Sequence, residues 1–311
     1  MREMVDKRAG TNSMVDNYAP GEVVREFLRG RTCRIVYRHR KRQEHEVQQY
    51  SQLAEDRTAR LVEYRDGQTK GGALKGIRPM EPMISPDGTR IAYNTSFMPT
   101  DMFVCYLDRD VPPVNIGFGA NPRWWVDTDT GEEYIVYRTE CAKTTWPDLP
   151  GVTLKQKIRK GGCVPVDEPV QVYPKGFGAG LTPDGRYLVT GYASLDIVDL
   201  VTSQHRQLFG GRQVCSVTIA PDDTNRLMEL RLPHDRFGYH NLDGTDDVEI
   251  FKPQGSTEWL TPSWSNDPDF AVAAAGNYGG TYDIYLIRLS DQAMMKVIWG
   301  GDCIHPHLWV R

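Results

Sequence analysis

The 311-residue chain has no apolar run approaching the roughly 18 residues that a membrane helix needs, so no membrane span is expected. Its opening residues, MREMVDKRAGTNSMVDNY, contain no apolar segment of the kind that starts a secretory leader. This fits a cytoplasmic protein, or one whose leader has been removed. A basic excess is also missing. Lys and Arg number 37 against 41 Asp and Glu, a net charge of −4, and nucleic acid is not expected as a partner. The six cysteines, at 33, 105, 141, 163, 215 and 303, form no CxxC pair and no metal-ligand spacing. Cys105 and Cys215 sit in strand-like runs, so buried free thiols are expected. A Cys141–Cys163 disulfide is the alternative, because the two flank one hairpin. Gly-rich GGALKG (71–76) lacks the Lys-Ser/Thr ending of a phosphate loop. There is no GxSxG elbow, and DTDTGEE (127–133) lacks the spacing of a calcium loop. No cofactor or metal is implied.

What the chain does have is turn residues, with 29 Gly and 20 Pro. SPDGTRIAY (85–93) returns as TPDGRYLVT (182–190) and, degenerate, as APDDTNRLM (220–228). VDTDTGEEYIVY (126–137) and SNDPDFAVA (265–273) are fainter copies. Pro fixes φ, Asp bonds back to the backbone, and Gly takes a positive φ that other residues resist. A β-rich strip follows each turn, so each copy reads as strand, turn, strand. The preceding strands are EPMIS (81–85), NPRWW (121–125), GAGLT (178–182), CSVTI (215–219), TPSWS (261–265) and HPHLW (305–309). Four of the six begin with a polar residue and Pro, which suits a strand's first position, where no ladder donor is needed. Their starts lie between about 36 and 57 residues apart, bracketing the length of a four-stranded propeller blade.

An all-β, six-bladed propeller over residues 32–311 is therefore expected. Five blades are complete from residue 81 to about 301. HPHLWV is left over at the C-terminus, while TCRIVYRHR and ARLVEYRDG lack an inner strand before them. Joining these fragments closes the ring through blade one and hides two sheet edges. Residues 1–31 form an extension: the first 17 are expected to be disordered, and APGEVVREFLRG to hold a short helix. The blade-one insert HRKRQEHEVQQYSQLAEDRT (39–58) is charged, and its basic run RHRKR (38–42) reads as a solvated loop.

SPDGTRIAY and TPDGRYLVT resemble the repeat of TolB-like propellers, and the likeness covers most of residues 81–311. EPMISPDGTRIAY, NPRWW, LTPDGRYLVTG and HPHLW are more faintly similar to a propeller domain of surface lipoproteins from fibre-degrading bacteria. The resemblance implies the fold and little about function. Peptide-binding scaffolds, peptidase-associated propellers and a polysaccharide lyase share that repeat. It also implies an extracytoplasmic setting, against the missing leader.

In such a ring the Pro-Asp-Gly turns join the two inner strands on one face. The loops between second and third strands, and the connections between blades, gather on the other face around the channel mouth. That face should carry Trp146 in TECAKTTWPDLPG (139–151), His234 in LPHDR, and Asn277 and Tyr278 in AGNYGGT. The inter-blade connections add Arg78, Glu81, Asn121, Arg212, Gln213, Glu258, Trp259 and His305. Aromatics, amides and both charges suit a glycan or a protein segment. Trp124, Trp125, Trp264 and Trp309 are expected to pack between blades instead. His305 and His307 point to one side of a strand, but two imidazoles do not make a zinc site, and His240 as a third falls in an outer strand.

Three functions are compatible with these residues. A non-catalytic binding module would use the loop face and channel mouth. A carbohydrate-active lyase or hydrolase would need His305 in hydrogen-bond reach of Glu81 or Glu258. An assembly subunit would reach a neighbour through the N-terminal extension.

Overall fold

The computed structural model describes residues 16–41, 56–141, 147–191 and 194–311. Nearly all the regular structure of the described chain is strand, arranged as five antiparallel sheets. The C-terminal strand Asp302–Val310 pairs with Cys33–Lys41, followed outward by Asp56–Arg65 and Gln68–Ala73. The ring is thus closed by strands from the two ends of the chain, in the blade expected. Three further four-strand groups run from Gly180–Leu181 to His205–Leu208, from Val214–Ile219 to Val248–Phe251, and from Glu258–Trp264 to Ala293–Trp299.

Between residues 83 and 173 the blades are fused rather than separate. One 13-residue strand, Val114–Val126, is the outer strand of one group and, after a bend, the inner strand of the next. The sheet therefore counts seven strands. The sequence suggested separate strands at VNIGF and NPRWW.

The inner strands share a second feature. Register shifts fall between Ala120 and Arg123, Cys215 and Thr218, and Leu260 and Ser263, and opposite Ile304–His307 in the closing blade. At each shift one non-glycine residue takes a positive φ: Asn121 (54°), Ser216 (49°), Thr261 (47°) and His305 (51°). The recurrent Pro follows this bulged residue at 122, 262 and 306. It sits mid-strand in Glu258–Trp264 and Asp302–Val310, not at the strand's start as its sequence position suggested. A bulge is the other place where a sheet accepts Pro.

The Pro-Asp-Gly turns dock one blade on the next. Ser85 Oγ donates to Asp87 Oδ1 at 2.5 Å, and the amides of Thr89 and Arg90 donate to Asp87 Oδ1 and Ser85 Oγ. The same bonds recur at Thr182, Asp184, Arg186 and Tyr187. Trp309 of the closing strand lies against Gly88 and donates to the Pro86 carbonyl at 2.9 Å. Trp125 lies against Gly185 and donates to the Thr182 carbonyl at 3.0 Å. Trp264 is buried beside Tyr239.

Disorder through residue 17 was expected, and the structure differs at the end of that stretch. Asn17–Tyr18 adds a fifth strand beside Ala293–Trp299, and buried Asp16 accepts bonds from Tyr37 at 2.6 Å and pairs with Arg60 at 3.1 Å. The expected helix forms at Gly21–Phe27, with Val24 and Leu28 in a core shared with Ile35, Val62, Phe270 and Val297. Residues 16–28 thus lie on the chain's own blades, and the rest of the expected disordered stretch, residues 1–15, lies outside the described residues. All six cysteines are free thiols, four of them buried, so no Cys141–Cys163 disulfide forms. No described helix is long and apolar enough to cross a membrane.

Candidate binding face at the channel mouth

The bulged residues Ser216, Thr261 and His305 line a cavity on the ring's axis, together with Glu81, Arg123 and Thr218. Its volume is about 30 Å³, enough for water and far too little for a sugar ring. Glu81 is held firmly there, accepting from Arg123 at 3.1 Å and from Asn121 Nδ2 at 3.2 Å. Arg138 donates to Asn121 Oδ1 at 2.9 Å. Burial works against the Glu81 charge, but Arg123 and the neighbouring donors keep the carboxyl below its ordinary range.

His305 is the counterpart. Burial, with Arg38, Arg40 and Arg123 nearby, pushes its pKa down to about 3 despite Glu81. Its Nδ1 is 3.9 Å from Glu81 Oε1, and no hydrogen bond joins them. His307 is also depressed to about 3 by burial, and its Nδ1 accepts the Ile84 amide at 3.1 Å, a structural task. His240 is buried against Glu229 at 2.9 Å, away from both. Among the described residues no group of three or more His, Cys, Asp or Glu could hold a metal.

A second cluster lies at the seam of the last two blades. His234 Nδ1 faces Glu258 Oε2 at 3.5 Å, and Tyr282 donates to the same carboxylate. Cys215, next to His234 though not in hydrogen-bond geometry with its buried Nε2, together with Glu258 raises the His234 pKa to about 9.

The expected residues therefore separate into groups. Glu81, Asn121 and His305 converge at the mouth, while His234 and Glu258 pair at the seam. Arg78, Arg212, Gln213, Asn277 and Tyr278 are exposed on the connections and loops of that face, Tyr278 at 65%. Trp146 and the blade-one insert at 42–55 lie outside the described residues. Trp259 requires a correction: it is fully buried against Phe237 and Tyr285, so it is core and not a surface contact. The sequence reading also missed three exposed apolar side chains on this face, Phe97 (41%), Met98 (45%) and Leu232 (38%). Phe97 stands at the mouth, edge-on to the His305 ring with centroids 5.7 Å apart, and its carbonyl meets the Cys141 thiol. SFMPT and RLPHD carry ordinary loop signals, and only the count of apolar residues inside them could have drawn attention.

No family model and no curated protein sequence matches the chain. Solved structures do. TolB from Acinetobacter baumannii aligns with a TM-score of 0.61 at 15% identity, over 88% of this chain and 66% of that one, so the chain spans just under two thirds of its length. A putative TolB from Agrobacterium tumefaciens gives 0.53 at 13% identity, over 90% and 98% of the two chains. A chain of the nidogen–laminin complex gives 0.56 at 9% identity, over 89% and 98%. Identities this low speak for the fold alone, and none of these structures supports the fainter likeness to surface lipoproteins. By fold, the chain is a TolB-like β-propeller.

Proposed function

We propose that this propeller is a non-catalytic binding module whose loop face takes a protein segment. The observation that carries the reading is an apolar rim of loop side chains standing around a mouth whose axial cavity is small, about 30 Å³. Phe97, Met98, Leu232 and Tyr278 stand out from loops of three blades around a mouth held by Arg138, Asn121 and Glu81. Aromatic faces alone would suit a sugar, but Met and Leu offer a hydroxylated ring little, and they suit a partner's apolar side chains. Exposed Arg78 and Arg212 favour an acidic segment. A chain with a similar ring occurs in a complex of nidogen with laminin. Catalysis is disfavoured because His305 and Glu81 lie 3.9 Å apart without a hydrogen bond.

The test is a random-peptide display selection on the purified protein, run beside a glycan array. Acidic peptides with apolar anchors should be enriched. Their binding should fall at least about tenfold in Phe97→Ala and Tyr278→Ala, with melting temperatures unchanged. Peptides that bind both variants as well as the parent would remove this face from consideration. A glycan retained intact and lost in Tyr278→Ala would replace the protein ligand by a carbohydrate, and a glycan that is cleaved would restore the enzyme reading.

A further inference from the structure

We propose that Cys215, His234 and Glu258 form a nucleophilic thiol site, which exchanges with small disulfides and is reversibly capped as a mixed disulfide. Three segments bring the groups together at the seam of the last two blades. Cys215 lies on Val214–Ile219, where its cross-strand partner is Leu230. The chain then turns back at His234, whose amide donates to the Arg231 carbonyl at 2.6 Å and whose carbonyl accepts the Trp259 amide at 2.7 Å. Those bonds hold His234 at φ 74°, a left-handed conformation that a non-glycine residue keeps only where its surroundings impose it. Glu258 opens the next inner strand, Glu258–Trp264.

The groups stand in the order nucleophile, base, orienter. Glu258 Oε2 faces His234 Nδ1 at 3.5 Å, and Tyr282 donates to the same buried carboxylate. Arg40 stacks on the Tyr282 ring at 6.0 Å and pairs with Asp302 at 2.7 Å, so Glu258 is the carboxylate left to His234. The other ring nitrogen, Nε2, is buried without a hydrogen bond, and Cys215 is beside it. Such contacts are often loose before a reactant arrives and tighten with it. His234, raised to about 9 with Cys215 as the first cause, is cationic at neutral pH, and a cationic imidazole beside a thiol favours the thiolate. The Cys215 proton then rests on Nε2. The thiolate attacks one sulfur of the disulfide, the S–S bond breaks as the new one forms, and the leaving thiolate takes the proton from Nε2. One mixed disulfide and one small thiol result. Acyl transfer would need oxyanion donors as well, whereas exchange needs only this proton. Access singles out the same thiol. Cys33, Cys105, Cys163 and Cys303 are buried, and half-exposed Cys141 meets Arg138 at 3.3 Å instead of an imidazole. The site does not depend on the rim taking a protein segment.

The experiment uses the folded full chain with Cys141→Ser, which leaves Cys215 as the half-exposed thiol, and dithiobis(nitrobenzoate) as the disulfide. Release of the coloured thiol gives the rate, and peptide mass mapping gives the site. A single equivalent should be released at about pH 7, with the cap on Cys215. His234→Gln should slow release at least about tenfold there, and the two rates should converge near pH 10, where ordinary thiols are ionised. A merely structural role for His234 would change the rate alike at both pH values, and that result would overturn the proposal. So would equal rates at about pH 7, or a folded chain that releases nothing. If His234→Gln fails to fold, Cys215→Ala tests the same pair from the other side. The His234 imidazole should then titrate closer to its ordinary value near 6.5, and an unchanged titration would refute the coupling.

Discussion

Three glycines separate the two reasons why the Pro-Asp-Gly turn ends in Gly. Gly255 has φ +89° and open space where a Cβ would stand. Gly185 has φ +70°, and a Cβ there would reach the Trp125 ring at 3.0 Å. Gly88 has φ +73°, and a Cβ would come within 2.3, 2.4 and 2.6 Å of three ring carbons of Trp309. An Ala at positive φ costs about 1–2 kcal/mol in the backbone, against which the stiffened unfolded chain returns up to about 1 kcal/mol. Gly255→Ala should therefore destabilise by about 1 kcal/mol. Gly185→Ala should cost slightly more, because the Trp125 ring needs to yield only a few tenths of an ångström. At Gly88 the ring would have to move by more than 1 Å to reach normal carbon contact at about 3.5 Å. Trp309 is not free to do so: its indole donates to Pro86, and Arg34 packs over the ring while donating to the Gly88 carbonyl at 2.7 Å. Overpacking of this kind adds about 1–3 kcal/mol, so Gly88→Ala should cost about 2–4 kcal/mol in all. Urea unfolding of the three variants measures the differences directly, provided the slope with denaturant is unchanged. If Gly88→Ala and Gly255→Ala agree within about 0.5 kcal/mol, the turn is only a turn, and the docking role assigned to Trp309 is wrong.

Two further outcomes are expected. His305 and His307 have folded pKa values near 3, against an ordinary value near 6.5. The unfolded chain then binds more protons between those limits, so stability should fall as pH drops from about 6.5 toward 3. His234, raised to about 9, acts oppositely: its contribution is complete below about 6.5 and lost as pH rises through 9. Imidazole NMR titrations locate each window, and a His307 resonance titrating near 6.5 would contradict its placement. Separately, deletion of residues 303–311 removes buried Cys303, Ile304, Leu308 and Val310 and exposes the edge of Cys33–Lys41. Cooperative unfolding should disappear, and a truncated chain that melts normally would refute closure through that strand.

The fold was legible because turn chemistry repeats. Ser-Pro-Asp-Gly needs no tertiary context to be recognised, and the expected inner strands CSVTI (215–219), TPSWS (261–265) and HPHLW (305–309) end within a residue of Val214–Ile219, Glu258–Trp264 and Asp302–Val310. The site was less legible because each inner strand contains a bulge. Beyond a bulge the alternation of faces changes phase, so the side on which Trp259 points cannot be counted back from Ser263. Trp259 consequently looked like a loop aromatic and is core. Asp16 was hidden for a different reason. A lone acidic residue in a polar stretch carries no local signal, and its partners Tyr37, His39 and Arg60 come from strands that follow in sequence.

The bulges themselves explain why Pro recurs where it does. A bulged residue leaves its ladder, and so does the residue after it, whose amide would then be a buried donor without an acceptor. Pro has no such amide, so at 122, 262 and 306 the distortion orphans one fewer donor. What remains is backbone strain at the preceding residue, of order 1–3 kcal/mol for each non-glycine held at positive φ. Thr261 is the sharpest instance, since a β-branched side chain at φ +47° is disfavoured more than His305 or Asn121 would be. The chain nonetheless places polar side chains at these positions, and Ser216, Thr261 and His305 line the small axial cavity. Four strained residues set around one axis in four blades are hard to account for by strand geometry alone, because Gly180 meets the same need in a fifth blade at φ +101° without strain. The side chains at 121, 216, 261 and 305 must therefore do something that Gly would not, and the structure gives them two tasks. Asn121 holds Glu81 and Arg138 in place at the mouth, and Thr261 and His305 supply the polar lining of the axis.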